Sequence, residues 1–174
     1  MFMKKEEIFQ VAKEIFLKKG YSGMNMREIA KLSGISIGTL YNLFGSKENL
    51  SLIIMKENLD KFLKDLEIRV SDCRSDEEKV KIILDALRNF LTLHEKSFKE
   101  IMIGFIEKGE RPFRLLKRRD ILKKIVRSIF NIKDDYLSQF VGEIILMQAR
   151  KDPSTDEKFY KIFKKLIEEE AWKR

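Results

Sequence analysis

The run from Asn25 to Lys47, NMREIAKLSGISIGTLYNLFGSK, constrains this chain more than any other stretch. It reads as two short helices around a tight turn. The first is expected over about residues 26–33 and the second over about 37–44, with Gly34-Ile35-Ser36 between them. Gly34 can take the left-handed backbone conformation that ends a helix without a steric penalty. Ser36 stands where its hydroxyl can accept from a free N–H two or three residues on. Ile29, Ala30 and Leu32, then Ile35, Leu40, Leu43 and Phe44, supply the apolar positions of two helices that share a core. At about 100° per residue, Leu40, Leu43 and Phe44 fall on one face of the second helix. Gly38 and Asn42 fall opposite, flanked by Thr39 and Tyr41. A short, polar outer face of this kind suits a helix laid in a DNA major groove. An ordinary solvated pair of helices is the alternative.

The rest of the chain reads as helix throughout. Prolines are confined to Pro112 and Pro153, strand-like alternation is absent, and Leu, Ile, Lys, Glu and Phe dominate. Lys4 to Lys19 is amphipathic, with Ile8, Val11, Ala12, Ile15 and Phe16 on one face, and Gly20 ends it. Asn25 with Glu28 has the spacing of a capping box. Ser46 opens a long helix running to about Val70, long enough to join a small head to a separate body. Ser75 with Glu78 opens another, to about His94, and a further helix is expected from Ser97 to Lys108. Two more are expected, from Lys133 to Arg150 and from Ser154 to Lys173, separated at Pro153.

Charge supports a polyanionic partner only weakly. The 174 residues hold 36 basic and 28 acidic side chains, a net of +8, which favours nucleic acid or an anionic surface. Residues 1–50 carry 8 basic and 5 acidic residues, so the excess is not concentrated in the helix pair. The densest basic segment is Arg111 to Arg127, with eight basic residues and one acid. It fits a solvated helix face, an anionic partner site, or an auxiliary DNA or membrane surface. No apolar run approaches the roughly 20 residues that span a bilayer, and MFMKKEEIFQ has no signal-peptide core. Cys73 is alone, which fits a reducing cytoplasm; it is either an inert thiol or a redox switch. With a single histidine, His94, no histidine-based metal cluster is possible, and no Gly-rich phosphate loop or nucleophile with its own base appears. The expectation is a protein that is not an enzyme, with no catalytic residues, no metal and no cofactor.

The segment Gly20 to Leu50 closely resembles the N-terminal DNA-binding domain of TetR-family bacterial transcriptional regulators. The resemblance rests on Gly20-Tyr21, Ile29-Ala30, Gly34-Ile35-Ser36, Gly38-Thr39-Leu40-Tyr41, Phe44, and Ser46-Lys47-Glu48 followed by Leu50. It implies an all-α fold: a three-helix helix-turn-helix domain over residues 1–46, joined by a long helix to an effector-binding and dimerisation domain over 47–174. It implies that Ser36, Thr39, Tyr41 and Lys47 hold phosphates, with Asn25 at the start of the first short helix. Hydroxyls and an ammonium are the chemistry that phosphate oxygens need. Arg27 and Asn42 are the candidates to read bases, and Gly38 permits close approach. Ile37 and Leu43 are apolar where relatives often carry polar groups. Ile37 either touches a thymine methyl or finishes the core, and DNA shape would then carry more of the specificity.

The same resemblance implies partners: double-stranded operator DNA, a second copy of the chain, and a small-molecule effector, with no membrane. Phe62, Phe90, Phe98, Met102, Phe105 and Phe113 are the candidates to line an effector pocket, with a plain packed core as the equal alternative. Leu137, Phe140, Val141, Ile144 and Ile145, with Phe159, Ile162, Phe163, Leu166 and Ile167, resemble the helix pair that forms a four-helix dimer interface. The function implied is a regulator, expected to be a repressor, that leaves its operator when an effector binds. The alternatives are a helix-turn-helix protein switched by a protein partner, and a helical interaction module that does not bind DNA.

Overall fold

The computed structural model describes residues 4–110, 126, 127, 130 and 135–166. These form helices α1 (Lys5–Gly23), α2 (Met26–Leu32), α3 (Ile37–Phe44), α4 (Lys47–Ser71), α5 (Asp76–Glu107), α6 (Asp135–Gln148) and α7 (Asp156–Leu166), with a 3-10 turn at Pro153–Thr155. No strand occurs among the described residues. The chain divides into two compact units. One comprises residues 1–60 and 94–116, and the other residues 61–93 and 117–174. The long helices α4 and α5 each pass through both.

The first unit packs α1, α2 and α3 against the opening turns of α4 and the final turns of α5. Its core is Ile8, Ala12, Ile15 and Phe16 of α1, Met26, Ile29 and Ala30 of α2, Leu40 and Phe44 of α3, Leu50, Ile54 and Met55 of α4, and Ile101 and Phe105 of α5. Leu40 is fully buried, which contributes about 2 kcal/mol. A Lys13–Glu57 ion pair at 3.0 Å ties α1 to α4. Gly20 breaks α1 at φ 68°, and the chain then makes one more turn before α2.

Local chemistry sets the turn as expected. Gly34 takes φ 63°, and the Gly34 and Ile35 N–H groups donate to the Lys31 and Ala30 carbonyls at 3.2 and 3.1 Å. This pattern closes the end of α2. Ser36 Oγ accepts from the Thr39 N–H at 3.0 Å and caps α3. Asn25 caps α2 by accepting from the Arg27 N–H at 2.8 Å. The capping box expected with Glu28 does not form, because the Glu28 carboxylate pairs with Lys19 at 2.8 Å instead. Leu32 is also not a core residue: it is 59% exposed. Met26, Ile29, Ala30 and Ser33 occupy the inward stripe of this short helix, and Leu32 falls outside it.

The second unit is built on Leu66 and Val70 of α4, Val80, Ile83, Leu84 and Leu87 of α5, Val141 and Ile145 of α6, and Phe163 of α7. Val126 and Phe130 join this core, and Phe163 meets the Phe130 ring edge-on at 5.7 Å. Arg88 on α5 forms a two-pronged ion pair with Asp156 at 2.7 and 2.6 Å, and Gln148 donates to the same carboxylate at 2.7 Å. The two helices expected over 75–94 and 97–108 are one continuous helix, α5. His94 therefore lies mid-helix rather than at a helix end, and no glycine or proline separates it from Ser97. Burial lowers its pKa.

Candidate nucleic-acid interface

The helix pair α2 and α3 presents its polar side outward, because its apolar side is fixed inward. Leu40 and Phe44 anchor α3 in the core, so the opposite face is held toward solvent. Ser36, Gly38, Thr39 and Asn42 are exposed on it. Ile37 is 39% and Tyr41 43% exposed, so Ile37 does not finish the core and stays available on the outer side. Leu43 is half-buried against the core, so its departure from a polar residue is explained by packing. The Ser36 and Thr39 hydroxyls lie 2.8 Å apart, two hydroxyls at one helix start where unpaired N–H groups already favour an anion.

Beside this face lies an open depression of about 640 Å³. Asn25 and Arg27 border it from α2, Ile37 and Tyr41 from α3, and Lys47 from α4. Five of the nine residues expected at the interface therefore meet around one concavity, and the other four line the adjoining face of α3. Ser22 also borders the depression, and no motif in the sequence marks it.

Lys47 is held rather than free to swing. Its ammonium sits 4.4 Å from the centre of the Tyr21 ring, an attraction between a cation and a π face. Burial lowers its pKa, opposed by the Glu48 and Glu100 carboxylates. The Tyr21 hydroxyl donates to Glu48 Oε1 at 2.7 Å. Burial, reinforced by that bond and by the charge on Glu48, pushes the Tyr21 phenol well above its ordinary value. Glu48 is 5% exposed, and its second oxygen accepts from the Lys108 ammonium, just beyond α5. Burial alone would raise the Glu48 carboxyl. The bonds from Lys108, Tyr21, its own N–H and Ser46 outweigh burial and bring it down to about 2. These contacts join residues 27 and 60 positions apart in sequence, which no local pattern encodes.

The family model for bacterial regulatory proteins of the tetR family matches residues 8–52, the span that builds this interface. An HTH-type transcriptional regulator of Staphylococcus aureus strain RF122 is 27% identical over 144 residues, 82% of this chain and 75% of its own. Over residues 8–52 the chain is similar to the DNA-binding domain of TetR-family regulators. A second relative, from S. aureus strain MRSA252, is 26% identical over the same shares. The crystal structure of a TetR-family regulator from Pectobacterium atrosepticum aligns with a TM-score of 0.55 at 12% identity. It covers 97% of this chain and 94% of that one, which shows a shared fold. Both relatives and the aligned structure are transcriptional regulators, and the matched segment of this chain is the one that folds as a helix-turn-helix.

The candidates for other sites are dispersed. Phe62 and Phe90 stack at 4.5 Å in the second unit, whereas Met102 and Phe105 pack in the core of the first, and Phe98 is 39% exposed. Val141, Ile145 and Phe163, expected at a dimer interface, are buried in the protomer's own core. Apolar residues cover more than one side of α6 and α7, and periodicity alone does not say which side turns inward. Phe140 and Ile162 are 53% and 62% exposed, Ile144 and Phe159 half-buried. Phe113 and Ile167, and the side chains of Leu137 and Leu166, lie outside the described residues, as does Arg111 to Arg127 apart from buried Val126 and exposed Arg127. Cys73 is half-buried, and burial with the Glu78 charge pushes its thiol up, which disfavours the reactive thiolate. Among the described residues no cluster of metal ligands occurs and no helix is long and apolar enough to cross a membrane.

Proposed function

We propose that this chain is a TetR-family transcriptional regulator that binds palindromic operator DNA as a homodimer and represses transcription, and that a small apolar effector in the body lowers its DNA affinity. The observation that carries the DNA reading is the outward polar face of α3, continuous with the depression between Arg27 and Lys47. In this reading residues 1–46 are the reading head and 47–174 the body. Ser36, Thr39, Tyr41 and Lys47 bond phosphates, with Asn25 beside them. Arg27 forks to guanine or Asn42 to adenine, each pairing discriminating by about 1–3 kcal/mol. Ile37 touches a thymine methyl, and Gly38 lets the backbone approach.

Dimerisation gives the head its use. Two recognition helices about 34–36 Å apart meet successive major-groove faces of a near-palindrome. Exposed Phe140 and Ile162 support α6 and α7 as the paired surface. An effector that prefers one spacing of the heads would lower affinity by that preference alone. The stacked Phe62–Phe90 pair supports an apolar ligand in the body. Acting on DNA, the protein works in the cytoplasm.

Gel shifts on the region upstream of the protein's own gene test this, with the Tyr41→Phe and Asn42→Ala variants and a salt series. Wild type is expected to bind, Tyr41→Phe to weaken binding evenly across sequences, and Asn42→Ala to relax specificity. Wild-type affinity and specificity in both variants would refute the assigned face.

A further inference from the structure

The buried Glu48 carboxylate is a junction of three elements. Through one oxygen it holds Tyr21, which follows the break in α1; through the other it holds Lys108, at the end of α5. The Tyr21 ring in turn carries the Lys47 ammonium at 4.4 Å. All of these residues belong to the first unit. The fit around Glu48 is close. A Cβ on Gly104 of α5 would lie 2.7 Å from Tyr21 Oη and 2.9 Å from Glu48 Cγ, so α5 rests directly on the pair because residue 104 has no side chain. The helix that ends here is continuous back to Asp76, in the second unit.

We infer that Tyr21, Glu48 and Lys108 are positioning residues for the Lys47 phosphate contact, and that they make the end of α5 the point where the body acts on the DNA-binding head. The inference rests on the DNA reading above. Its physical content is a chain of constraints. The Lys108 ion pair fixes the Glu48 carboxylate, which fixes the Tyr21 hydroxyl and with it the plane of the ring. A fixed ring spares Lys47 the loss of side-chain freedom that a phosphate contact otherwise costs. Withdrawal of α5 from Gly104 and Lys108 would free the ring and release Lys47. Whatever moves this end of α5 therefore changes DNA affinity without touching the outer face of α3.

The test uses the full-length protein and a fluorescent duplex enriched from a random library by the wild type. Lys108→Met, Tyr21→Phe, Lys47→Ala and the double variant Lys47→Ala/Lys108→Met are compared by anisotropy across a salt series. Circular dichroism melts establish that each is folded. Lys108→Met and Tyr21→Phe are expected to bind about 3- to 10-fold more weakly, within the range of coupled contacts. Lys47→Ala should lower the salt slope by about one. The decisive expectation is non-additivity: in the Lys47→Ala background, Lys108→Met should cost no further affinity. Additive losses, or wild-type affinity in both Lys108→Met and Tyr21→Phe, would overturn the inference and leave the DNA reading intact. Failure of the wild type to enrich any duplex would overturn the DNA reading itself. If Lys108→Met melts early, Gly104→Ala replaces it in both backgrounds, crowding Tyr21 and Glu48 from the α5 side with the same expected losses.

Discussion

Replacing Glu48 by glutamine removes a charge and little else, so it measures what the buried carboxylate contributes. The Glu48 carboxyl lies at about 2, against an ordinary value of 4.5. At about 1.36 kcal/mol per pH unit, that depression corresponds to about 3 kcal/mol of stability at pH 7. The sign follows from linkage. A carboxyl whose value is lower folded than unfolded stabilises the fold fully above the unfolded value. It loses that contribution as pH falls from 4.5 toward 2. Glu48→Gln keeps an acceptor for the Tyr21 hydroxyl but leaves Lys108 without its counter-charge. Urea unfolding of both proteins should therefore show the variant about 3 kcal/mol less stable near pH 7 and about 1 kcal/mol less stable near pH 3. A gap that stays constant between those pH values would refute the reasoning, because the lost stability would then not come from ionisation.

Two further substitutions test the local structure. Ser36→Ala removes the acceptor for the Thr39 N–H at 3.0 Å and should cost about 1 kcal/mol in a thermal melt. Asp156→Ala strips the two-pronged partner from Arg88 in the second unit. With both side chains about 15% exposed, it should cost about 2–3 kcal/mol in urea unfolding, more than an exposed pair would.

Features set by near neighbours in the chain were legible in the sequence. Gly34 ends α2 and Ser36 caps α3 because backbone conformation and capping depend on residues within three positions. The inward placement of Leu40 and Phe44 followed from the helical period. Features that depend on the rest of the fold were not legible. Leu32 is apolar yet outside, because what packs against α2 covers only the stripe of Met26, Ile29, Ala30 and Ser33. Glu28 bonds Lys19 rather than closing a capping box, a choice made by the neighbouring helix. Val141, Ile145 and Phe163 looked like an intermolecular surface and are interior, since both kinds of contact use the same residue types. Glu48 was legible only as part of a Ser-Lys-Glu run. Its partners Tyr21 and Lys108 lie far away in sequence, and nothing local marks them.

The central claim is that the outer face of α3 enters a DNA groove, and Gly38 tests it most directly. A Cβ added there would meet only Ser36 Oγ at 3.7 Å, so the free protein has room for a larger side chain. Replacing a helical glycine should, if anything, stabilise the fold by about 0.5–1 kcal/mol. Against a duplex, the Gly38→Glu carboxylate would meet phosphates and base edges at close range, with like charges opposed at a cost of several kcal/mol. Gly38→Glu should therefore melt no lower than wild type and bind operator DNA at least about a hundredfold more weakly. A well-folded Gly38→Glu protein that binds DNA with wild-type affinity would contradict the account.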